Sequence, residues 1–474
     1  MALSDHDFLS GGSGINRLAS KEDVANALQS RDLRRLRQIS YTFFNHSGIY
    51  NRLCRYMASL YRFDWYVTPV FDSLSAGVSE EGRDSIFSQW QRVTSFLDRS
   101  RLRRVFGSIA LKVVRDGCYY GYKMEQDTAV YLQELPASYC RSRYELNGSP
   151  AVEFNVRYFD DEFASDPDYK ERLLKAWPKE IRLAYNSYRS GRLKKDLQMD
   201  ETGWTLLDPA YTVKFNIGDT DIPLLMAVIP KIIDLAEAQD LDRKKMLQQI
   251  LRILIQQIPL DKNGIPVMDE GETNEFHKNA VIMLCNAIGL NVLTTPCNVT
   301  VADMADHGNV STVDQLDKIE RSVYNEAGIA QAQFNSTSNM ALEKSVAKDA
   351  ATMTDLLLKF EDYANSIITR FYTKECSFLF QMLPTTIFNY QDMSDRYKSM
   401  ATLGFSKLLP QVALGQSQSS IMMMAKFENE ILSLNDFFVP PQSSATMSGN
   451  DGPGRPSLPD DKKSDKTIRN IESS

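Results

Sequence analysis

Residues 346–371 read VAKDAATMTDLLLKFEDYANSIITRF and carry the most regular apolar pattern in the chain. The apolar positions recur at alternating spacings of four and three, which places them on one face of an α-helix. They are Val346, Ala350, Met353, Leu357, Phe360, Ala364, Ile367 and Phe371. We predict a helix over residues 341–372, about 48 Å long at 1.5 Å per residue. A long helix in the core of one chain and a helix that packs within an assembly both fit this pattern.

A polar segment precedes this helix. Residues 331–339 are rich in Gln, Asn, Ser and Thr. The Asn, Ser and Thr side chains compete for backbone hydrogen bonds, so we expect a break or kink there. Further upstream, apolar periodicity and capping residues predict helices over 230–248, 274–288 and 311–327. Residues 261–264 have a turn composition, which predicts a pair of strands over 251–259 and 265–268.

The first half of the chain mixes helices and strands. The pattern predicts helices over 47–62, 80–97 and 109–115. It predicts strands over 63–68, ended by Pro69, and over 129–135, with an aromatic turn over 117–122. Asn147-Gly148 is a strong hairpin signal within residues 139–160. The sequence therefore predicts a helix-rich α+β fold. We expect a flexible arm over residues 1–30 and a disordered tail over 441–474, where apolar residues are scarce.

Composition restricts the function. The chain has 474 residues, with 54 Lys and Arg against 61 Asp and Glu, which gives a formal net charge of -7. This balance disfavours a nucleic-acid clamp that is basic over its whole surface. The six cysteines form no C-x-x-C pair, as expected for reduced thiols in a protein made in a cytoplasm. No apolar stretch is long enough to cross a bilayer, so we expect a soluble protein or a part of a soluble assembly, with no membrane partner.

Motifs for catalysis are missing. No glycine is followed by lysine, so the sequence has no P-loop, and neither G-x-G-x-x-G nor G-x-S-x-G occurs. Ser345-Val-Ala-Lys348 matches S-x-x-K, but it lies in the predicted long helix without a K-T-G partner. The carboxylates of Asp160-Asp161-Glu162 and the pair Asp240 and Asp242 fit solvated helix faces better than metal ligands. We therefore predict a protein that is not an enzyme, with no cofactor, metal site or catalytic residue.

Several stretches together resemble the portal (connector) proteins of tailed bacteriophages. These stretches are residues 45–52, 60–69, 111–121 and 135–141, and the tail phrases Gly454-Arg-Pro and Ser464-Asp-Lys-Thr-Ile-Arg-Asn470. The order of the predicted elements adds to the resemblance: a helix, a short insert, a helix, a strand, a helix, a polar break and a long helix. The likeness extends over most of residues 30–474, and it lies in the order of the pieces more than in any one of them.

The resemblance implies a ring, usually of twelve copies, through which double-stranded DNA enters and leaves the capsid. In that frame, residues 31–222 and 291–390 would form the wing, the helix 223–248 and the helix 272–290 the stem, and 249–271 the clip. Residues 331–339 would form the tunnel loop before the long helix 341–372, and 391–440 the helical crown.

The resemblance also implies where the functional residues lie. The tunnel loop would face DNA through Gln331, Gln333, Phe334, Asn335, Ser336, Thr337, Ser338 and Asn339. Basic residues of the first stem helix would form rings along the channel or simply face solvent; these are Lys231, Arg243, Lys244 and Lys245. The clip would dock partners through Asp261, Lys262, Asn263, Asp269 and Glu270.

The implied partners are further copies of the chain, the major capsid protein and scaffold, the packaging terminase, head–tail adaptor proteins and the double-stranded DNA in transit. The implied location is the portal vertex of the virion, after synthesis in the host cytoplasm. Two alternatives remain. One is an oligomeric head–tail or scaffold component without a DNA channel. The other is a metal-dependent nucleic-acid enzyme that uses the acidic clusters.

Overall fold

A computed structural model describes residues 19–71, 80–146, 148–191, 200–250, 253–257, 261, 267–288, 291–295, 312–329, 339–373 and 376–434. It confirms a helix-rich α+β fold. The chain divides into two compact units, Met1–Ser419 and Ser420–Ser474. The described part of the second unit holds the end of one helix and a π-helical turn, Phe427–Ile431.

The helices follow in chain order. They are α1 Lys21–Gln29, α2 Leu33–His46, α3 Gly48–Ala58, α4 Glu80–Arg99, α5 Leu102–Asp116, α6 Tyr158–Glu162, α7 Pro167–Ala176, α8 Lys179–Arg189, α9 Ile229–Ile250, α10 Glu270–Ile288, α11 Thr312–Ala327, α12 Asn339–Ile368, α13 Tyr390–Thr402, α14 Leu409–Ala413 and α15 Gln418–Lys426. Short 3₁₀ turns cover Ala137–Tyr139, Met226–Val228 and Thr369–Phe371.

Ten described strands form four small sheets. They are β1 Trp65–Phe71, β2 Cys118–Glu125, β3 Val130–Leu135, β4 Cys140–Leu146, β5 Ser149–Asn155, β6 Trp204–Leu206, β7 Thr212–Asn216, β8 Ile253–Gln257, β9 Asn291–Thr295 and β10 Cys376–Met382. The sheets have the orders β1-β10, β3-β2-β7, β4-β5-β6 and β8-β9. The first three sheets are antiparallel, and β8 and β9 pair in parallel.

Helix α12 is the centre of the main hydrophobic core. The first seven residues of the predicted stripe, from Val346 to Ile367, are buried, and Phe371 is half-buried in the 3₁₀ turn that follows. They pack with apolar residues of α2, α3, α4, α5, α9, β1, β7 and β10. The stripe is therefore covered by its own chain, and a long core helix is the better of its two interpretations. The helix keeps the predicted extent to within four residues at its C-terminal end.

A second, smaller core lies against the other face of β2. Cys118, Tyr120 and Tyr122 point into it, together with apolar residues of β4 and β5 and of the short helices α6 to α8. The predicted hairpin is present as β4 and β5, in which Leu146 pairs with Ser149. This second core gives the first half of the chain its α+β character.

Part of the segment predicted as a flexible arm over residues 1–30 is ordered. Lys21–Gln29 forms α1, which begins at a capping box made by Ser20 and Asp23 and buries Val24 and Ala27.

Two further local predictions for this half are wrong. The strand predicted to end at Pro69 continues to Phe71, with Pro69 opposite Phe378. Each strand of a two-stranded sheet has a free edge, and a proline whose missing N–H falls on that edge removes no ladder hydrogen bond. The predicted turn over 117–122 is a turn only at Gly117, whose φ of 85° ends α5, and β2 starts at the next residue.

The strand pair predicted around residues 261–264 is also wrong in its partner. β8 lies within the predicted first strand, but it pairs in parallel with β9, so Ile253 lies opposite Asn291. Parallel strands need a crossover connection, and α10 lies within it. Val267 and Met268 form a bend before α10 instead of a strand. Turn composition predicts that a chain reverses, but it does not show which segment pairs with the strand.

Candidate functional site

Helix α9 changes its environment halfway along. Its first two turns are buried in the main core through Ile229, Ile232, Ile233, Leu235 and Ala236. From Glu237 to Asn279, no side chain that the structure describes is buried. Three large apolar side chains in this segment are strongly exposed, namely Leu241 (60%), Val267 (63%) and Phe276 (49%). The described side chains of this segment, at residues 237–243, 261 and 267–279, are thus not buried by the described part of their own chain.

The predicted basic residues of α9 fall into two different surroundings. Lys231 lies in the buried half and forms an ion pair with Asp234, at 3.8 Å between Nζ and Oδ2. Lys21 of α1 also contacts Asp234 and Glu237, so two lysines and two carboxylates lie together and their formal charges cancel as a group. Arg243 is exposed in the other half and has no ion pair among the described residues. The side chains of Lys244 and Lys245 lie outside the described ones.

The predicted docking residues of the insert lie around the start of α10. Asp269 occupies the N-cap position of α10, because its carbonyl accepts a hydrogen bond of 2.9 Å from the N–H of Thr273, and its Oδ1 accepts one of 2.8 Å from the N–H of Glu270. The N–H of Asp269 in turn donates to the carboxylate of Glu272, at 3.4 Å. Asp261, Asp269 and Glu270 are exposed, whereas Lys262 and Asn263 lie outside the described residues. Asp269 thus has a structural role in addition to any role in docking.

The predicted tunnel loop lies almost wholly outside the described residues. This applies to Gln331, Gln333, Phe334, Asn335, Ser336, Thr337 and Ser338. Asn339 is the first residue of α12, and the structure describes its backbone alone. The assignment of these residues to a channel therefore stays a prediction.

The acidic cluster at residues 160–162 is used in internal contacts. Asp160 accepts hydrogen bonds from the Tyr185 hydroxyl at 2.8 Å and from Lys170 at 3.0 Å. Partial burial acts to raise the pKa of Asp160, but these two hydrogen bonds outweigh it and lower the pKa below its usual value. The Tyr139 hydroxyl lies within hydrogen-bonding distance of the carboxylates of both Asp161 and Glu162. These carboxylates therefore stabilise the second core through internal hydrogen bonds, a role that differs from metal binding.

Metal-binding and thiol chemistry find little support in this geometry. No group of three or more His, Cys, Asp and Glu in the described parts of the chain is arranged to hold a metal ion. Asp240 and Asp242 are two residues apart on α9 and so do not share a helix face. Burial raises the pKa of the Cys54 thiol to about 12 and that of Cys118 to about 11, which leaves both as poor nucleophiles.

A buried carboxylate that sequence reasoning missed joins distant parts of the first unit. Asp64 is almost fully buried between Arg62 and Arg103, at 3.3 Å from a guanidinium nitrogen of each. The same arginines donate to the carbonyls of Leu414 and Gly415, each at 3.0 Å. Arg62 also lies over the ring of Tyr390, 4.2 Å from its centroid. These contacts fix α13 and α14 to the main core, and no local sequence signal pointed to them.

Sequence reasoning also passed over a run of four arginines in six residues, Arg99-Ser-Arg-Leu-Arg-Arg104. In an acidic chain such a run is itself the signal of a local basic surface. It lies at the junction of α4 and α5.

No protein-family model matches the chain, and no curated protein matches it significantly. Among the residues that the structure describes, no helix combines the length and the apolar character needed to cross a membrane.

Proposed function

We propose that the chain is a subunit of a bacteriophage portal, a structural ring at one capsid vertex. The ring would conduct double-stranded DNA during packaging and ejection. It would also dock the terminase and then the head–tail adaptor proteins, within a shell of capsid protein and scaffold. The proposal rests on the sequence resemblance and on one structural observation, the exposure of the apolar residues Leu241, Val267 and Phe276 in and beside α9 and α10.

The physical argument concerns burial. A helix gains most of its stability by packing an apolar face, so exposed apolar residues on two helices indicate a missing partner surface. These residues lie in and beside α9 and α10, the two helices that the resemblance assigns to the stem. In a closed ring, a neighbouring copy on each side would supply that surface through a heterologous interface. The stripe of α12 is not available for this purpose, because its own chain covers it.

The direct test is to image the purified full-length protein. Twelve copies of the 53.8 kDa chain would form a ring of about 650 kDa, and end-on views in negative stain would show its symmetry. A bore wider than the roughly 20 Å of a duplex would support a DNA conduit. Monomers under all assembly conditions, including with capsid protein and scaffold, would contradict the proposal. A closed assembly with a narrower bore would favour a head–tail or scaffold component without a channel.

The proposal also predicts a role for the polar segment before α12. Deletion of residues 331–339 should leave capsids that assemble but lose packaged DNA. The measurement is the DNA content of purified heads, compared with heads that carry the unaltered chain.

A further inference from the structure

The junction of α4 and α5 carries a local cluster of positive charge. Between Ser88 and Arg104, every exposed residue other than Ser88 is an arginine. The five are Arg92, Arg99, Arg101, Arg103 and Arg104. We call them, with Ser88, Gln91 and Ser95, the arginine surface. The whole chain is acidic, with a net charge of -7, so this clustering is a local departure from its composition.

Four of these arginines have no partner in the described chain. Arg92, Arg99, Arg101 and Arg104 form no ion pair or side-chain hydrogen bond with another described residue. Arg103 differs, because it contacts Asp64 and the carbonyls of Arg62 and Gly415, yet its side chain is still 45% exposed. The surface therefore presents charge that folding does not neutralise.

The shape of the surrounding surface suits an extended ligand. Two clefts flank the last turn of α4. One is about 380 Å³ and is lined by Ser88, Gln91, Arg92, Ser95 and Arg99 of α4, with Asp127 and Thr128 beside them and the aromatic rings of Phe96 and Phe371 at its base. The other is about 460 Å³ and is lined by Arg101, Arg103 and Arg104, with Gln416 and Ser417 opposite. Hydroxyl, amide and guanidinium groups are the groups that contact phosphate and sugar in protein–DNA complexes.

In addition to Asp127, the carboxylates of Asp64 and Asp98 line the clefts. Asp98 accepts hydrogen bonds from the hydroxyls of Ser417 and Ser419, and Asp64 is paired with Arg62 and Arg103. Arg62 balances the charge of Asp64, which leaves Asp98 and Asp127 as two carboxylates against the five arginines. The balance of the surface stays positive.

A protein partner fits this surface less well than DNA. Protein interfaces bury an apolar or aromatic centre, whereas no exposed residue from Ser88 to Arg104 is apolar and the exposed ring of Phe87 lies at the edge of this range. Arg92 and Arg99 are seven residues apart, roughly 10 Å along the helix axis, over which duplex DNA carries about six phosphate charges. We propose that the arginine surface binds the phosphate backbone of double-stranded DNA on the outside of the assembly, without reading its sequence.

This inference rests on the proposed function for its choice of DNA as the ligand and for the ring whose outside carries the surface, and it concerns a surface other than the channel. A topological test separates the two. A relaxed, covalently closed circular plasmid cannot thread through a closed ring, so its binding to the full-length protein reports an outer surface. We expect binding that weakens steeply with salt, as counterion release requires.

The decisive variant is Arg99→Gln/Arg101→Gln/Arg104→Gln. Three lost phosphate contacts should weaken plasmid binding by about tenfold or more and make the log–log salt slope shallower by about 2.7. The triple variant Arg143→Gln/Arg321→Gln/Arg396→Gln is a matched control, because these exposed arginines also have no ion pair in the described chain and the charge change is the same. It should bind like the unaltered protein. Lysine at positions 99, 101 and 104 should restore the slope, since lysine also binds phosphate.

The inference is overturned if the decisive variant binds plasmid as tightly as the unaltered protein, or if the control variant weakens binding equally. Poly-L-glutamate that competes as well as duplex DNA would also overturn it, in favour of an acidic protein partner. Rings that do not bind the plasmid would leave the proposed function standing without this surface. Plasmid binding by a chain that never forms rings would leave the arginine surface standing and contradict the proposed function.

Discussion

Phe106 of α5 and Phe360 of α12 stack with their ring centroids 4.3 Å apart and their planes 10° from parallel. Phe63 and Phe215 approach the Phe360 ring from other sides, at centroid distances of 5.8 and 5.0 Å. Both Phe106 and Phe360 are fully buried. The apolar stripe of the long helix therefore meets aromatic residues of α5, of β7 and of the loop before β1 in the same chain.

Replacing Phe360 by alanine should destabilise the folded subunit by about 3–5 kcal/mol, because the substitution removes buried area and leaves a cavity. Leu358, two residues away on the same helix, is 53% exposed, and Leu358→Ala should change the free energy of unfolding by no more than about 0.5 kcal/mol. Urea denaturation of the dissociated subunit measures both. If Phe360→Ala prevented ring formation but left subunit stability unchanged, the stripe would be an interface after all.

This helix also shows which parts of the fold could be predicted from the sequence. A seven-turn apolar repeat, an Asn-Gly turn and a capped amphipathic helix each depend on neighbours close in the chain, so α12, the β4–β5 hairpin and α11 could all be predicted. The partner of β8 could not, because pairing Ile253 with Asn291 depends on where α10 places the chain. Pro69 misled for a related reason, since its effect depends on which edge of the sheet it faces.

The candidate site was even harder to predict from the sequence. Sequence identified the basic residues of α9, but it could not show that Lys231 forms an ion pair with Asp234 while Arg243 has none among the described residues. Exposure of Leu241 and Phe276 is likewise a tertiary property, because an amphipathic pattern is the same whether its partner is the same chain or another.

The uncovered apolar residues of α9 and α10 should govern assembly. Leu241→Ser/Phe276→Ser should lower the fraction of chains in rings, since it removes apolar area that a neighbour would bury. Subunit stability should change by no more than about 0.5 kcal/mol, because both side chains are already exposed. Mass photometry and urea denaturation measure the two properties. Leu183→Ser, at a 45% exposed site on α8, is the control and should leave assembly unchanged.

Asp98 should make stability depend on pH. Burial raises its pKa above the usual value, and hydrogen bonds from Ser419 and Ser417 offset this only in part. The folded state thus holds this proton at pH values where the unfolded chain has lost it, so the contribution of Asp98 to stability falls as pH rises through that window. Asp98→Asn removes the titration. Its stability relative to the unaltered protein should rise from pH 3 upward and level off above the raised pKa; a constant difference in thermal melts across that range would contradict this.

Gly415 tests the contact between the arginine pair and the C-terminal helices. Its φ is +98°, and a Cβ there would lie 2.5 Å from Nη2 of Arg62 and 2.9 Å from Nη1 of Arg103. Gly404 has nearly the same φ, +97°, with nothing within 4 Å of its Cβ position. Gly404→Ala should therefore cost only the backbone strain of about 1 kcal/mol, and Gly415→Ala about 1–2 kcal/mol more. Equal free energies of unfolding for the two variants would show that the arginines move aside without cost.

Arg101 offers a final test, because at this residue stability and the proposed DNA contact are in conflict. Its φ is 52°, in the left-handed region that favours glycine, and its side chain has no ion pair in the described chain. Arg101→Gly should raise the free energy of unfolding by about 1 kcal/mol while weakening plasmid binding. Arg104 lies in regular helix, so Arg104→Gly should lower the free energy of unfolding by about 1 kcal/mol and weaken plasmid binding to the same degree. If the two variants changed stability in opposite directions but lost binding equally, DNA binding would depend on the arginine charge and not on the backbone conformation. If both variants bound DNA normally, the strain at Arg101 would have no connection with DNA.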